Sequence, residues 1–347
     1  MHQLFRSITA PAVTIAVWML SCAGSPAIRV DVLKPAAIHL PGVRKLAIAD
    51  FQGPGSSGGQ ISALVQSQLL QGGHFEIVER DRLARILDEQ KLGMAGVVNE
   101  STAKQVGQLL GVDALIFGEV SRYGVEKDEV GTEKVEKKEG TGKYETVTEK
   151  NVFTGKKRKV KREVMRTVWV DQKYRIRRGT VAVHFRVVDV ETGKLLAAHS
   201  DSKSYTSDKV VDGRSASLKP EGEILNELSQ SITRTFTELI APHSVSERRV
   251  LETGSGKNEE GKRYAQAGLW PEAVSAFEDA LNATPSDPVS NYNLGIALEV
   301  QGDLDGAEAL IKKALALKSK KLYIDALSRI RQEKLEKVRL EEQMRDR

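Results

Sequence analysis

Hydrophobic positions along the chain first follow a strand and helix alternation and later a helical repeat. The apolar run within Val43–Phe51 reads as a buried strand, Gly53–Gly59 as a flexible loop, and Ile61, Leu64, Val65, Leu69 and Leu70 as one face of a helix. Phe75–Glu79 alternates as a short strand. Asp81 can cap a helix with Leu83, Ile86 and Leu87 on one side, ended by Gly93. Asn99 or Ser101 starts another helix through Val106 and Leu110, stopped by Gly111, and Asp113–Val120 is the next strand. Farther on, Val181, Val183, Phe185 and Val187 alternate with Ala182, His184 and Arg186, the period of a strand with one buried face. Glu191–Lys194 predicts a turn with Gly193 at positive φ, and Leu195–His199 returns as the hairpin partner. A helix with Ile224, Leu225, Leu228, Ile232, Phe236, Leu239 and Ile240 on its apolar face closes the segment before Pro242. Strands alternating with helices of this length predict an α/β unit with one mixed sheet and flanking helices.

The carboxy-terminal third keeps a different period. Gly261, Tyr264, Ala273, Phe277, Ala280 and Pro285 have tetratricopeptide spacing, and a shift of 34 residues brings Gly295, Ala307 and Ala314 into the same places. Leu298, Ile311 and Ser319 stand where Tyr, Phe and Pro are usual. Small residues at such positions let paired helices approach closely. The reading is an all-α unit: two repeats over 257–320, a capping helix over 321–347, and a linker over 246–256. Such repeats resemble one another in binding peptides, and the first helix of each would present Lys262, Tyr264, Asn291 and Asn293 to a protein partner.

Cys22 is the only cysteine of the 347 residues, so no internal disulfide forms. It follows an apolar run from Ala10 to Leu20, too short to span a bilayer and suited to an export signal. Met19-Leu20-Ser21-Cys22 resembles a lipobox, which predicts a leader over 1–22 and lipidation of Cys22. Diacylglycerol plus an acylated amino terminus would anchor the chain to a membrane leaflet. Cleavage after Ala23 or Ala27 instead would leave a soluble exported chain.

The net charge of +5 is concentrated: Glu126–Arg178 holds 17 Lys/Arg against 10 Asp/Glu. Lys156–Arg162 looks like a nucleic-acid patch, but an exported chain meets no chromosome, so nucleic acid is not expected as a partner. An anionic envelope polymer or lipid head group suits the cluster better, and the plainer reading is a long solvated hairpin over 124–178. The six histidines are scattered without metal-ligand spacing, and the glycine loop lacks the Lys-Ser/Thr of a phosphate loop. No catalytic residue, metal or cofactor is expected.

Val78–Gln90, Gly111–Val120 and Val181–Lys194, in that order, resemble the CsgG family, which includes the curli production, assembly and transport lipoprotein of the outer membrane. The resemblance spans roughly Lys45 to Ile240. It implies a lipoprotein at the periplasmic face of the outer membrane, a domain over 28–245 and a ring-forming homo-oligomer. The curli transporter adds two hairpins per subunit to a transmembrane barrel and lines a constriction with aromatic and amide residues. Here Lys and Glu fall on both parities of 125–142 and 156–162, and a basic side chain at mid-bilayer costs about 2–4 kcal/mol. The loop Gln52–Gln60 carries no aromatic residue. The expectation is therefore a non-enzymatic envelope protein for assembly or export of surface or secreted protein. A secretion channel and a periplasmic activator of peptidoglycan synthesis are the alternatives.

Overall fold

The computed structural model describes residues 27–78, 111–150, 155–211 and 217–346. Cys22 and both helices expected between Asp81 and Leu110 lie outside them. Two compact units result. One combines residues up to Val32 with Ser244–Glu336; the other spans Leu33–His243 and ends with Lys337–Arg347.

The sheet unit contains β2 (Lys45–Ile48), α1 (Ser57–Gly72), β3 (Glu76–Val78), β4 (Ala114–Val125), β5 (Glu129–Lys150), β6 (Lys157–Ile176), β7 (Arg178–Asp189), β8 (Leu195–Thr206), β9 (Val210–Val211) and α2 (Glu221–Ile240). Its five-stranded sheet runs β3-β2-β4-β7-β8. β2 is parallel to β3 and β4, while β4–β7 and β7–β8 are antiparallel. Alternation puts Leu46, Ile48, Ala114, Ile116, Val181, Val183, Phe185 and Val187 on one face, where Ile61, Val65 and Leu69 of α1 and Ile224, Ile232 and Phe236 of α2 cover them. Ala47, Ala49, Leu115, Phe117 and Val188 form a second cluster. The glycine loop has a packing role: a Cβ on Gly58 would lie 1.7 Å from the Phe51 carbonyl oxygen, so only glycine lets α1 start this close to the chain at Phe51.

The turn at Glu191–Lys194 forms as expected, with Gly193 at φ 71° and the Asp189 carboxylate accepting from the Thr192 amide at 2.7 Å. β8, however, continues to Thr206. The alternation stops being apolar after His199, but β7 offers hydrogen-bonding groups along its whole edge, and pairing extends to Arg178↔Thr206.

The charged insert folds as a long antiparallel ribbon, β5 against β6, with β9 joining at Tyr174 and Arg175. Val135, Val168, Val170, Tyr174 and Ile176 share one half-buried face, and Val130, Met165 and Trp169 stand exposed on the other. At its base Arg177 donates to both carboxylate oxygens of Asp128 at 2.7 and 2.8 Å and to the Lys219 carbonyl at 2.9 Å. The Arg177 hydrogen bonds hold the Asp128 carboxyl below its ordinary pKa.

The other unit contains most of β1 (Ala27–Lys34), which pairs with β10 (His243–Val250), then α3 (Lys257–Gln266), α4 (Trp270–Ala283), α5 (Pro288–Val300), α6 (Leu304–Leu317) and α7 (Lys321–Arg345) as far as Glu336. Two expectations are corrected here. The expected linker over 246–256 begins as strand, and Ala27–Val32 and Ser244–Val245 group with the helices although 28–245 reads as one domain in sequence. Backbone pairing between β1 and β10, remote in sequence, leaves no hydrophobic pattern of its own.

Candidate functional site: the groove of the helical repeats

The two repeats pack by one rule used twice. A Cβ on Gly261 would lie 2.6 Å from Phe277 Cε1, and a Cβ on Gly295 would lie 2.8 Å from Ile311 Cδ1. Glycine therefore lets α3 meet α4, and α5 meet α6, at closest approach. Ala273, Phe277, Ala307 and Ala314 are fully buried around these contacts, Ala280 nearly so, and Pro285 is exposed in the turn between repeats.

The first helices of the repeats and α7 make a common inner surface. Asn258 of α3 donates to the Ser290 hydroxyl of α5 at 2.8 Å, and Tyr292 of α5 stacks on Tyr323 of α7 with centroids 4.7 Å apart. Asp287 caps α5, accepting from the amides of Val289 and Ser290 and from the Ser290 hydroxyl at 2.6 Å.

This surface is where the expected partner-binding residues lie, and it is not open. Asn291 and Asn293 are fully buried, Lys262 nearly so and Tyr264 half-buried. Their polar types satisfy groups of the same chain. Asn293 accepts from the Glu252 amide at 2.8 Å and donates to the Glu252 carbonyl at 3.0 Å. Lys262 donates to the Thr253 hydroxyl at 3.1 Å, and Asn291 donates to the Asp287 carbonyl at 2.8 Å. Tyr264 donates to Glu260 at 3.4 Å on its own helix.

Sequence patterning missed a buried network of ion pairs. The Arg249 side chain is 2% exposed, with Nη2 2.5 Å from Glu333, Nε 2.6 Å from Glu299 and Nη1 2.8 Å from Glu247. Glu299, 1% exposed, also accepts two hydrogen bonds from Arg329 at 2.8 Å. Burial pulls the Arg329 pKa down, yet the Glu299 carboxylate outweighs it and the guanidinium ends above its usual value. A lone glutamate in the mostly buried helix α5, at Glu299, is the one sequence signal that points to this network. Burial likewise pushes up both stacked phenols, Tyr323 to about 12. The Tyr323 hydroxyl donates to Glu252 at 2.5 Å, and Lys320 pairs with the same carboxylate.

Residues 45–235 match the profile of the curli production assembly/transport component CsgG, over more than half of the chain. The chain belongs to the CsgG family. Residues 258–321, after an interval of residues 236–257, match a tetratricopeptide repeat profile. Among solved structures, a lipoprotein GNA1162 from Neisseria meningitidis is similar at 13% identity, over 56% of this chain and 97% of that one, with a TM-score of 0.30. The PelC dodecamer from Paraburkholderia phytofirmans is similar at 12% identity, over 62% of this chain and 99% of that one, with a TM-score of 0.26 in each of two crystal forms. No curated protein matches the chain. Among the described residues no helix is long and apolar enough to cross a membrane, and no three His, Cys, Asp or Glu side chains are grouped to share a metal ion.

Proposed function

We infer that this CsgG-family chain is a non-enzymatic lipoprotein of the cell envelope, tethered through Cys22 to the periplasmic face of the outer membrane. There it assembles with copies of itself and serves the export or surface assembly of protein, with the helical repeats supplying contacts to a protein partner. The observation that carries this reading is the CsgG match over 45–235 together with the repeat match over 258–321 farther along the same chain. The order joins an envelope-assembly family to a module whose groove binds extended chain.

Labelling cells with a palmitate analogue tests the reading. The wild type is expected to incorporate label and sediment with outer membranes, and Cys22→Ser to lose both. A labelled Cys22→Ser protein, or unprocessed wild type in the cytosolic fraction, would overturn it. Photocross-linking from exposed Leu269 or half-buried Trp270 of the repeats then tests recruitment, with one discrete adduct expected.

A second reading, the secretion channel, draws on the β5–β6 ribbon, whose strands of 22 and 20 residues exceed the span a barrel strand needs. Charged residues on both of its faces, such as Glu133 and Lys137 on one and Lys134 and Glu136 on the other, count against lipid exposure. Conductance of purified oligomer in a planar bilayer separates the two readings.

A further inference from the structure

From Arg249 to Gly254 the chain is gripped by the repeats as a bound peptide is gripped. Its backbone is read at three points: the Val250 carbonyl accepts from the Tyr292 hydroxyl at 2.8 Å, Asn293 bonds both the amide and the carbonyl of Glu252, and the Gly254 amide donates to Glu259 at 3.1 Å. Its side chains are held as well, as a bound ligand's are. Arg249 enters a buried acidic pocket between Glu299 and Glu333, Leu251 is fully buried among the helices, and the Glu252 carboxylate meets Lys320 and Tyr323. Thr253 meets Lys262. Arg249 and Val250 end β10 and the residues after them lead to α3, and neither task needs a buried guanidinium, since burying one is unfavourable unless a matching acceptor set waits for it.

We propose that Arg249–Thr253 is a built-in ligand. The groove of the repeats is a receptor for an extended peptide that carries arginine and, three positions on, a carboxylate, and the chain's own copy of that pattern occupies it. A tethered ligand acts at an effective concentration on the order of mM, so a free peptide of ordinary affinity does not enter while the copy in cis is seated. Any partner that uses this groove displaces residues 249–253. The proposal rests on the protein-binding reading only for the existence of such a partner. Occupancy and specificity are properties of this chain alone, and a synthetic peptide tests them independently.

The experiment is fluorescence anisotropy of a labelled peptide Glu-Arg-Arg-Val-Leu-Glu-Thr-Gly, the sequence of residues 247–254, added to the full chain. Wild type is expected to show no binding at micromolar peptide. The double variant Arg249→Ala, Glu252→Ala is expected to bind at least about tenfold more tightly than wild type, and to lose that gain when alanine replaces the peptide's second arginine. Equal binding by wild type and variant would overturn the proposal, as would a folded variant that binds neither peptide, because the segment would then be a fixed brace only. Hydrogen exchange on wild type covers a variant that fails to fold. The Glu252 amide is expected to exchange far more slowly than in the free peptide, and exchange at the free-peptide rate would overturn occupancy.

Discussion

Gly261 leaves no room above Phe277: a Cβ there would meet three ring carbons at 2.6 to 2.9 Å. The rigid ring cannot yield, so Gly261→Ala forces α3 away from α4. Overpacking of this kind costs about 1–3 kcal/mol, and the gain in helix propensity returns about 1 kcal/mol. Gly295 faces mainly the flexible end of Ile311, which can rotate, with the Ala307 carbonyl oxygen farther off at 3.3 Å. Thermal melts are expected to rank Gly261→Ala clearly below Gly295→Ala, and the reverse order would contradict the packing account.

Glu299 neutralises two guanidinium groups, Arg249 and Arg329, inside the helical unit. Glu299→Ala takes a carboxylate from each, leaving Arg249 with Glu333 and Glu247 and Arg329 with Glu333 at 3.9 Å. Losing one member of a buried ion pair costs about 3–5 kcal/mol, so urea unfolding is expected to show a midpoint lowered to match. A shift no larger than that of a surface substitution would mean water reaches the network.

Phe236 lies flat on Phe185, with ring centroids 4.2 Å apart and planes 7° from parallel, joining α2 to the sheet. Phe236→Ala opens a cavity in the core and is expected to cost about 3–5 kcal/mol. The loss should appear in the unfolding of the sheet unit, followed through near-UV signals, while the repeats keep their helical signal.

The tyrosine stack predicts sensitivity to base. A tyrosine ordinarily ionises near about pH 10, while burial holds Tyr323 at about 12 and pushes Tyr292 up as well. The unfolded chain gives up these protons first as pH rises. The support from both phenols is thus complete below about pH 10 and falls away as pH climbs through about 12. Tyrosinate absorbance and helical circular dichroism should change together in that window. In the variant Tyr292→Phe, Tyr323→Phe, the helical signal should lose this pH dependence.

Much of the molecule was legible because its contacts are periodic. Gly261 and Gly295, or Val181 through Val187, announce themselves by spacing, and the structure buries Phe277 and Phe185 where that spacing puts them. The groove was not legible. Asn291 and Asn293 carry polar side chains that serve equally well in water or against buried backbone, and nothing in their spacing says which. Arg249 reaches Glu333 across 84 residues, and a basic residue in a run of charged ones looks like solvated linker until its partners are known. The strand β10 was missed for the same reason, since the β1 edge that it pairs with lies near the other end of the chain.

Gln343 bonds the amide and the carbonyl of Ala36, each at 2.9 Å, across 307 residues of chain. That clasp is a contact of very high sequence separation: the Ala36 amide and carbonyl gain these partners only once Gln343 has docked beside them. A chain cut before position 343 would lack that strap, leaving the Ala36 amide and carbonyl to find other partners.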